Sequence, residues 1–378
     1  MDVDARQVRA FRLAGQGLGA GPGAGGAAPA DTLRGWAIQD SPPGAATAAA
    51  LARTPEVPVG WLDAALYDER SVVALYNART ATAIVAAEEV AAFGAALAPA
   101  DEAGLRAIVA SALPEHRPGG YTEPVALAVE AIADALDGAA LSRDDLHEQL
   151  RRRLPQDLLP WCKGCQSRHA RRGLLVMASL RGRLCLAGRA GRQPVFARTD
   201  QWTAWDPPAR EEAAAQLVRR YLTAYGPSTP KHFAEWAGLA PAHARELWAL
   251  VEGELEEVAI QDAGVAWLLR EDAGKLADPV RAAGVLLLGP GDPLLLGRDR
   301  ETLVPDPARR KKLWTAINAP GVVIVEGDVA ALWRACKQGK QLAVTVEAFA
   351  PVDRDAVQAA VDRLAPHRGA TGAAVDWA

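Results

Sequence analysis

Residues 211–269 restrict the fold more than any other stretch of the chain. Glu211–Ala224 repeats apolar residues at helical spacing, and Gly226-Pro227-Ser228-Thr229-Pro230 then ends one helix and starts another. Thr229 is a good cap. Pro230 suits the first helical position, where the amide hydrogen it lacks would have no partner anyway. The second helix is expected over 230–237, stopped by Gly238, and a third runs from Pro241 to about Val251. Leu255–Gln261 and Val265–Leu269 follow as two strands around Asp262-Ala263-Gly264. Three helices with a tight turn and a β-hairpin make a winged helix-turn-helix. This module places a helix in a DNA groove and also serves in protein–protein contacts.

The remaining sequence reads as helix-rich with short strands inserted. Helices are expected over 3–13, from Asp31 as cap to about Gln39, near Gly44–Arg53, over Trp61–Tyr67 and Ala87–Leu97, within 101–113 and 123–137, and after Ser142. Thr80–Val85 is β-prone. Gly15–Gly26 is mostly Gly and Ala with one Pro; no strand precedes it and no Lys-Ser/Thr follows, so it reads as a loop rather than a phosphate cradle. From Gly284 the character changes. Val322–Val325, Val329–Trp333 and Leu342–Phe349 are three consecutive strands of a small sheet or barrel, closed by a helix over 355–364.

With 378 residues, 50% apolar and 23% charged, the chain is globular and divides into two to four modules. Its longest apolar runs, such as Ala282–Leu288, are too short for a membrane span. Met1-Asp2-Val3-Asp4 is acidic where a secretion signal is basic, so a cytoplasmic location is expected. Four cysteines in this length predict free thiols.

The net charge of -4 hides a strong asymmetry. Residues 151–198 hold twelve cations against one carboxylate, Asp157. So concentrated a basic surface on an acidic body is what a phosphate-contacting face requires, although a solvated basic face has the same composition. Arg151, Arg152, Arg168, His169, Arg171, Arg172, Arg181 and Arg183 are the candidate contacts. The same segment contains Cys162-Lys163-Gly164-Cys165 and His169. That spacing can supply three zinc ligands, with Cys185 as a possible fourth. Two partly buried thiols near a DNA-facing histidine explain the pattern without a metal, and neither metal nor cofactor is expected.

A resemblance then joins these parts. Tyr221-Leu222-Thr223-Ala224-Tyr225-Gly226-Pro227, Phe233-Ala234-Glu235-Trp236, Arg298-Asp299-Arg300-Glu301, Pro305-Asp306-Pro307 with Arg309–Trp314, and Gly321-Val322-Val323 through Leu332-Trp333-Arg334 resemble the winged-helix family that includes the AlkZ-like DNA glycosylases. Ala37-Ile38-Gln39-Asp40 with Ala45-Ala46 is similar to that family's catalytic stretch. Tyr67–Val73 and Val85–Glu89 fall in register with it. The resemblance implies an α+β, helix-rich fold of tandem winged helices with a small C-terminal β-barrel. It divides the chain at 1–118, 119–208, 209–283 and 284–378. It also implies hydrolytic release of N7-alkylated purines or crosslinked adducts, from double-stranded alkylated DNA, by a monomer without a membrane partner.

The family's stretch is Gln–apolar–Gln or a variant ending in Asp. Here the second Gln is Gln39, and the first position holds Ala37, which cannot hydrogen-bond a water. Ala83 stands where the family has a polar residue. N7-alkylation makes the purine a good leaving group, so the enzyme mainly places a water and stabilises a cationic sugar. Gln39 can position that water and Asp40 can take its proton. Both residues also suit simple capping roles. Trp36 is a candidate for stacking on an extruded base, or a core residue. No lysine precedes Lys163, so the N-terminal module offers no side-chain amine for a Schiff base, and hydrolysis without strand cleavage is expected. The rival reading keeps the scaffold and the DNA binding without catalysis; a protein-interaction scaffold is a third.

Overall fold

The structure is a computed structural model that describes residues 1–19, 29–33, 37–54, 56–77, 81–99, 101–113 and 119–378. Trp36, Arg79 and most of the Gly/Ala run lie outside them. The chain forms two compact units, one of residues 1–62, 219–232 and 252–378 and one of residues 63–218 and 233–251. The fold is mixed α+β with several sheets. Among the described residues no helix is long and apolar enough to cross a membrane.

In the first unit, helix Ala5–Gly15 opens with a reciprocal cap: Asp4 accepts from the Gln7 amide at 2.8 Å, and the Gln7 side chain accepts from the Asp4 amide at 3.1 Å. Just before it, Asp2–Val3 pairs in parallel with Leu255–Ile260, which pairs antiparallel with Gly264–Leu269. Val3, Val8 and Phe11 thereby share a core with Val258, Ile260 and Leu268. Asp262 and Gly264 supply the positive φ angles of the hairpin turn.

The expected order of elements over 211–269 is present as helices Arg210–Tyr225, Pro230–Ala237 and Pro241–Ala249 and this hairpin. The Thr229 hydroxyl accepts from the His232 amide at 3.2 Å.

The C-terminal strands correct one expectation. They form an open five-stranded sheet in chain order, Val285–Leu288, Gly321–Val325, Asp328–Gln338, Gln341–Ala348 and Gly372–Trp377, and no barrel closes among the described residues. The last pairing is parallel, which needs a crossover, and helix Arg354–Leu364 supplies it. That helix packs against both edge strands. Val357, Val361 and Leu364 cover Val323, Trp333, Val344 and Val346, so the apolar face is buried without closure.

The second unit holds a five-stranded sheet in the order Thr82–Ala86, Val72–Tyr76, Cys185–Ala190, Gln193–Ala197, Leu141–Ser142. Helix Arg172–Leu180 is buried from Gly173 onward and packs among Val90–Leu97, Glu102–Val109 and Thr122–Ala135. Gly173 permits this, because a β-carbon there would lie 2.6 Å from the Ile108 carbonyl oxygen. Ser142 caps helix Arg143–Arg153 as expected.

A second correction concerns the candidate catalytic stretch. The helix expected to reach Gln39 is a short 3-10 turn, Pro29–Leu33, and Ile38-Gln39-Asp40 lies outside any helix. The Asp40 carboxylate serves the next helix, so the chain has to leave helical geometry before it.

Candidate catalytic cleft and nucleic-acid interface

Asp40 Oδ1 accepts from the backbone amides of Gly44 at 2.8 Å and Ala46 at 3.1 Å. The first amide belongs to the N-cap residue and the second to the first turn of helix Ala45–Arg53, and neither has a partner within the helix. Gly44 itself sits at φ 85°, a left-handed conformation that favours glycine. Ile38 is fully buried, whereas Gln39 and Asp40 are half-buried. Gln39 and Asp40 therefore lie in an anchored, non-helical stretch. The carboxylate is fixed through one oxygen, Oδ1.

Beside this stretch lies a cleft of about 530 Å³, lined by Ser41, Pro42, Trp333, Arg334, Lys337 and Arg368 among others. Arg368 donates to the Pro43 carbonyl at 2.7 Å. Burial disfavours its charge, and the nearby Asp40 carboxylate favours it. Trp333 donates its indole N–H to Leu288 O at 2.9 Å, which fixes one wall. Arg334, Lys337 and Arg368 lie some 290 residues or more beyond Asp40 in sequence. The resemblance marked Leu332-Trp333-Arg334; nothing local pointed to Lys337 or Arg368. Lys337 changes one sequence argument, because the fold puts an amine in the cleft that the N-terminal segment lacks. Of the two departures from the family's pattern, Ala37 is half-buried. Ala83 is fully buried in strand Thr82–Ala86, paired with Leu75.

In the other unit the basic segment sorts into two classes. Arg152 pairs with Glu148, and Arg183 with Asp200 at 2.6 Å. Arg181 is half-buried, and burial lowers its affinity for the proton against an opposing contribution from Glu130. Arg172 lies over the Tyr76 ring at 5.5 Å. Arg151, Arg168 and Arg171 instead donate to backbone carbonyls, of Arg168 at 3.3 Å, Leu159 at 3.3 Å and Trp161 at 2.9 Å. They have no carboxylate partner among the described residues. Trp161 is an exposed indole among these cations; an aromatic inside a basic run is its one signal in the sequence.

These arginines surround a small hairpin, Trp161–Cys162 paired with Ser167–Arg168. Cys162, Cys165 and His169 converge there. The Cys162 thiol is held down at about 6, first by the His169 ring beside it, and Cys165 is raised by Cys162. The His169 ring packs on His147, with centroids 4.6 Å apart. Burial, then the positive field of His169 and Arg143, holds His147 at about 4. Cys185 is elsewhere: its thiol is fully buried in strand Cys185–Ala190, and burial pushes it up to about 12. It is not part of the cluster.

A family model described as "DNA glycosylase AlkZ-like" matches residues 32–367. An interstrand DNA cross-link repair glycosylase of Streptomyces sahachiroi is 31% identical over 247 residues. That alignment covers 63% of this chain and 64% of the relative, just under two thirds of the relative's length. The solved structure of Streptomyces sahachiroi DNA glycosylase AlkZ aligns over 100% of both chains with a TM-score of 0.76 and 23% identity, a likeness of fold.

Proposed function

The chain belongs to the AlkZ-like DNA glycosylase family, and from that membership we propose that it hydrolyses the N-glycosidic bond of N7-alkylated purines, including bulky or crosslinked adducts, in double-stranded DNA. The observation that carries the reading is the geometry at Gln39-Asp40. A carboxamide and a carboxylate stand on one anchored stretch that runs directly into Ser41 and Pro42, which line a cleft together with Arg334, Lys337 and Arg368. The alkylated purine leaves as a neutral base once its bond to the sugar breaks. The sugar develops positive charge as it does so. Asp40, held by two amides through Oδ1, stabilises that charge and takes the proton of the attacking water. Gln39, which has no hydrogen-bond partner among the described residues, orients the water. Ala37 contributes neither donor nor acceptor, so Gln39 does this alone.

DNA is held by its phosphates. Arg151, Arg168 and Arg171 suit this role best, because no carboxylate among the described residues pairs with them. Arg152 and Arg183 are already engaged in ion pairs. Trp161 adds an apolar surface among them. The tandem winged-helix arrangement belongs to this reading, with the elements over 210–269 as its clearest member.

A second reading has Ala37 in its favour: a lesion-binding protein without catalysis. Release of 7-methylguanine from alkylated duplex DNA separates the two. The enzyme reading expects release by the wild type and a rate at least about tenfold lower for Gln39→Ala, roughly 1.4 kcal/mol in the barrier. Binding without release of 7-methylguanine or of a bulky N7 adduct supports the non-catalytic reading.

A further inference from the structure

We propose that Cys162, Cys165 and His169 hold a zinc ion that fixes the hairpin of residues 161–168 and, through it, three phosphate-binding arginines. The ligand atoms of the three residues already lie within 4.8 Å of one another. A tetrahedral zinc with sulfur at about 2.3 Å and nitrogen at about 2.0 Å draws them only slightly closer.

Apart from its own pairing and the arginine hydrogen bonds to its backbone, the hairpin has little support among the described residues. Each strand has two residues, far fewer than a free-standing hairpin needs. Trp161 is 49% exposed, and Lys163, Gly164, Cys165 and Gln166 are all exposed, so the loop buries almost nothing. Gln166 adopts φ 50°, which costs a side-chain-bearing residue energy. A crosslink offsets the entropic cost of ordering such a segment.

His169 identifies the kind. Its Nδ1 lies 2.9 Å from the Ala170 carbonyl. A carbonyl only accepts, so Nδ1 carries the hydrogen. Nε2 then presents a bare lone pair, and this atom is buried with no hydrogen-bond partner. A buried acceptor left empty is costly. A histidine whose second nitrogen donates to a backbone carbonyl is the usual form of a metal-bound imidazole. The His147 ring packed on it holds the plane. Two thiolates and one imidazole select zinc over the harder divalent ions. Binding releases to solvent whatever protons the two thiols still carry, and water fills the fourth position on the exposed Cys165 side.

The consequence reaches the DNA-binding surface. Arg168 lies on the hairpin, Arg151 is bonded to the Arg168 carbonyl, and Arg171 to the Trp161 carbonyl. Loss of the ion frees all three guanidinium groups and raises the entropic cost of placing them on phosphates.

The test is metal content of the full chain, expressed with zinc supplementation and purified without chelator. About one zinc per chain is expected for the wild type and for Cys336→Ser, with background levels for the Cys162→Ser/Cys165→Ser double variant. Cobalt added to metal-stripped wild type gives a second readout that needs no variant. Thiolate-to-cobalt charge-transfer absorption and tetrahedral visible bands are expected, with weaker cobalt affinity in His169→Ala. A wild-type chain that holds no stoichiometric zinc and binds cobalt without thiolate absorption overturns the proposal, as does a Cys162–Cys165 disulfide in the freshly purified protein. None of these readouts depends on glycosylase activity, so the metal site and the proposed reaction stand or fall separately.

Discussion

Arg53 and Asp292 form a buried two-pronged ion pair, at 2.8 and 3.0 Å, between residues 239 apart in the sequence. Arg53 also donates to the Gln16 and Ala49 carbonyls, and Asp292 accepts from the Leu294 amide. The pair ties the C-terminal end of helix Ala45–Arg53 to the segment before Pro293. The other end of that helix is the one capped by Asp40. Removing one partner leaves a charge buried without compensation. Arg53→Ala is expected to lower unfolding stability by about 3–5 kcal/mol, read by urea denaturation. A loss under about 1 kcal/mol would show that water reaches Asp292 in the variant.

Asp40 has two roles that one substitution separates. Asp40→Asn keeps an oxygen for the Gly44 and Ala46 amides and removes the charge. Its melting temperature should stay close to wild type, while base release slows by about tenfold or more. Asp40→Ala should also lose about 1 kcal/mol of stability through the missing cap. Full activity in Asp40→Asn would leave Asp40 a cap and nothing else.

The sorting of arginines gives different expectations within one basic segment. Arg171→Ala or Arg168→Ala should reduce the salt dependence of DNA binding by about one phosphate contact each, irrespective of sequence. Arg152→Ala and Arg183→Ala should change it little, because those cations already face Glu148 and Asp200. Titrations at several salt concentrations measure the slopes, and equal slopes for all four variants would contradict the sorting.

Lys337 makes the absence of strand cleavage a matter for experiment. The amine lines the cleft, yet the reaction proposed here runs through water. Borohydride added during turnover should trap no covalent protein–DNA product, and Lys337→Gln should keep the base-release rate within about threefold. A trapped product that disappears in Lys337→Gln would instead assign a Schiff base to this residue.

Much of this was legible in the sequence wherever the determining interaction is local. Helical spacing located Arg210–Tyr225 and Arg354–Leu364, and Ser142 and Thr229 marked helix starts, because a cap acts on amides two or three residues away. The turn at Asp262–Gly264 fixed the hairpin over 255–269 in the same way. The density of cations in 151–198 and the Cys-x2-Cys-x3-His spacing could be read by inspection. The motifs shared with the glycosylase family carried the functional reading. Tertiary structure alone decided the rest. Asp2–Val3 finds Leu255–Ile260, Arg53 finds Asp292, and Arg334, Lys337 and Arg368 meet beside Asp40. It separated paired from unpaired arginines, excluded Cys185 from the thiol cluster, left the C-terminal sheet open under helix Arg354–Leu364, and turned the stretch before Asp40 out of a helix. Periodicity and capping are set by neighbours a few residues apart, whereas these outcomes depend on which distant surfaces bury one another, and burial is a property of the assembled chain.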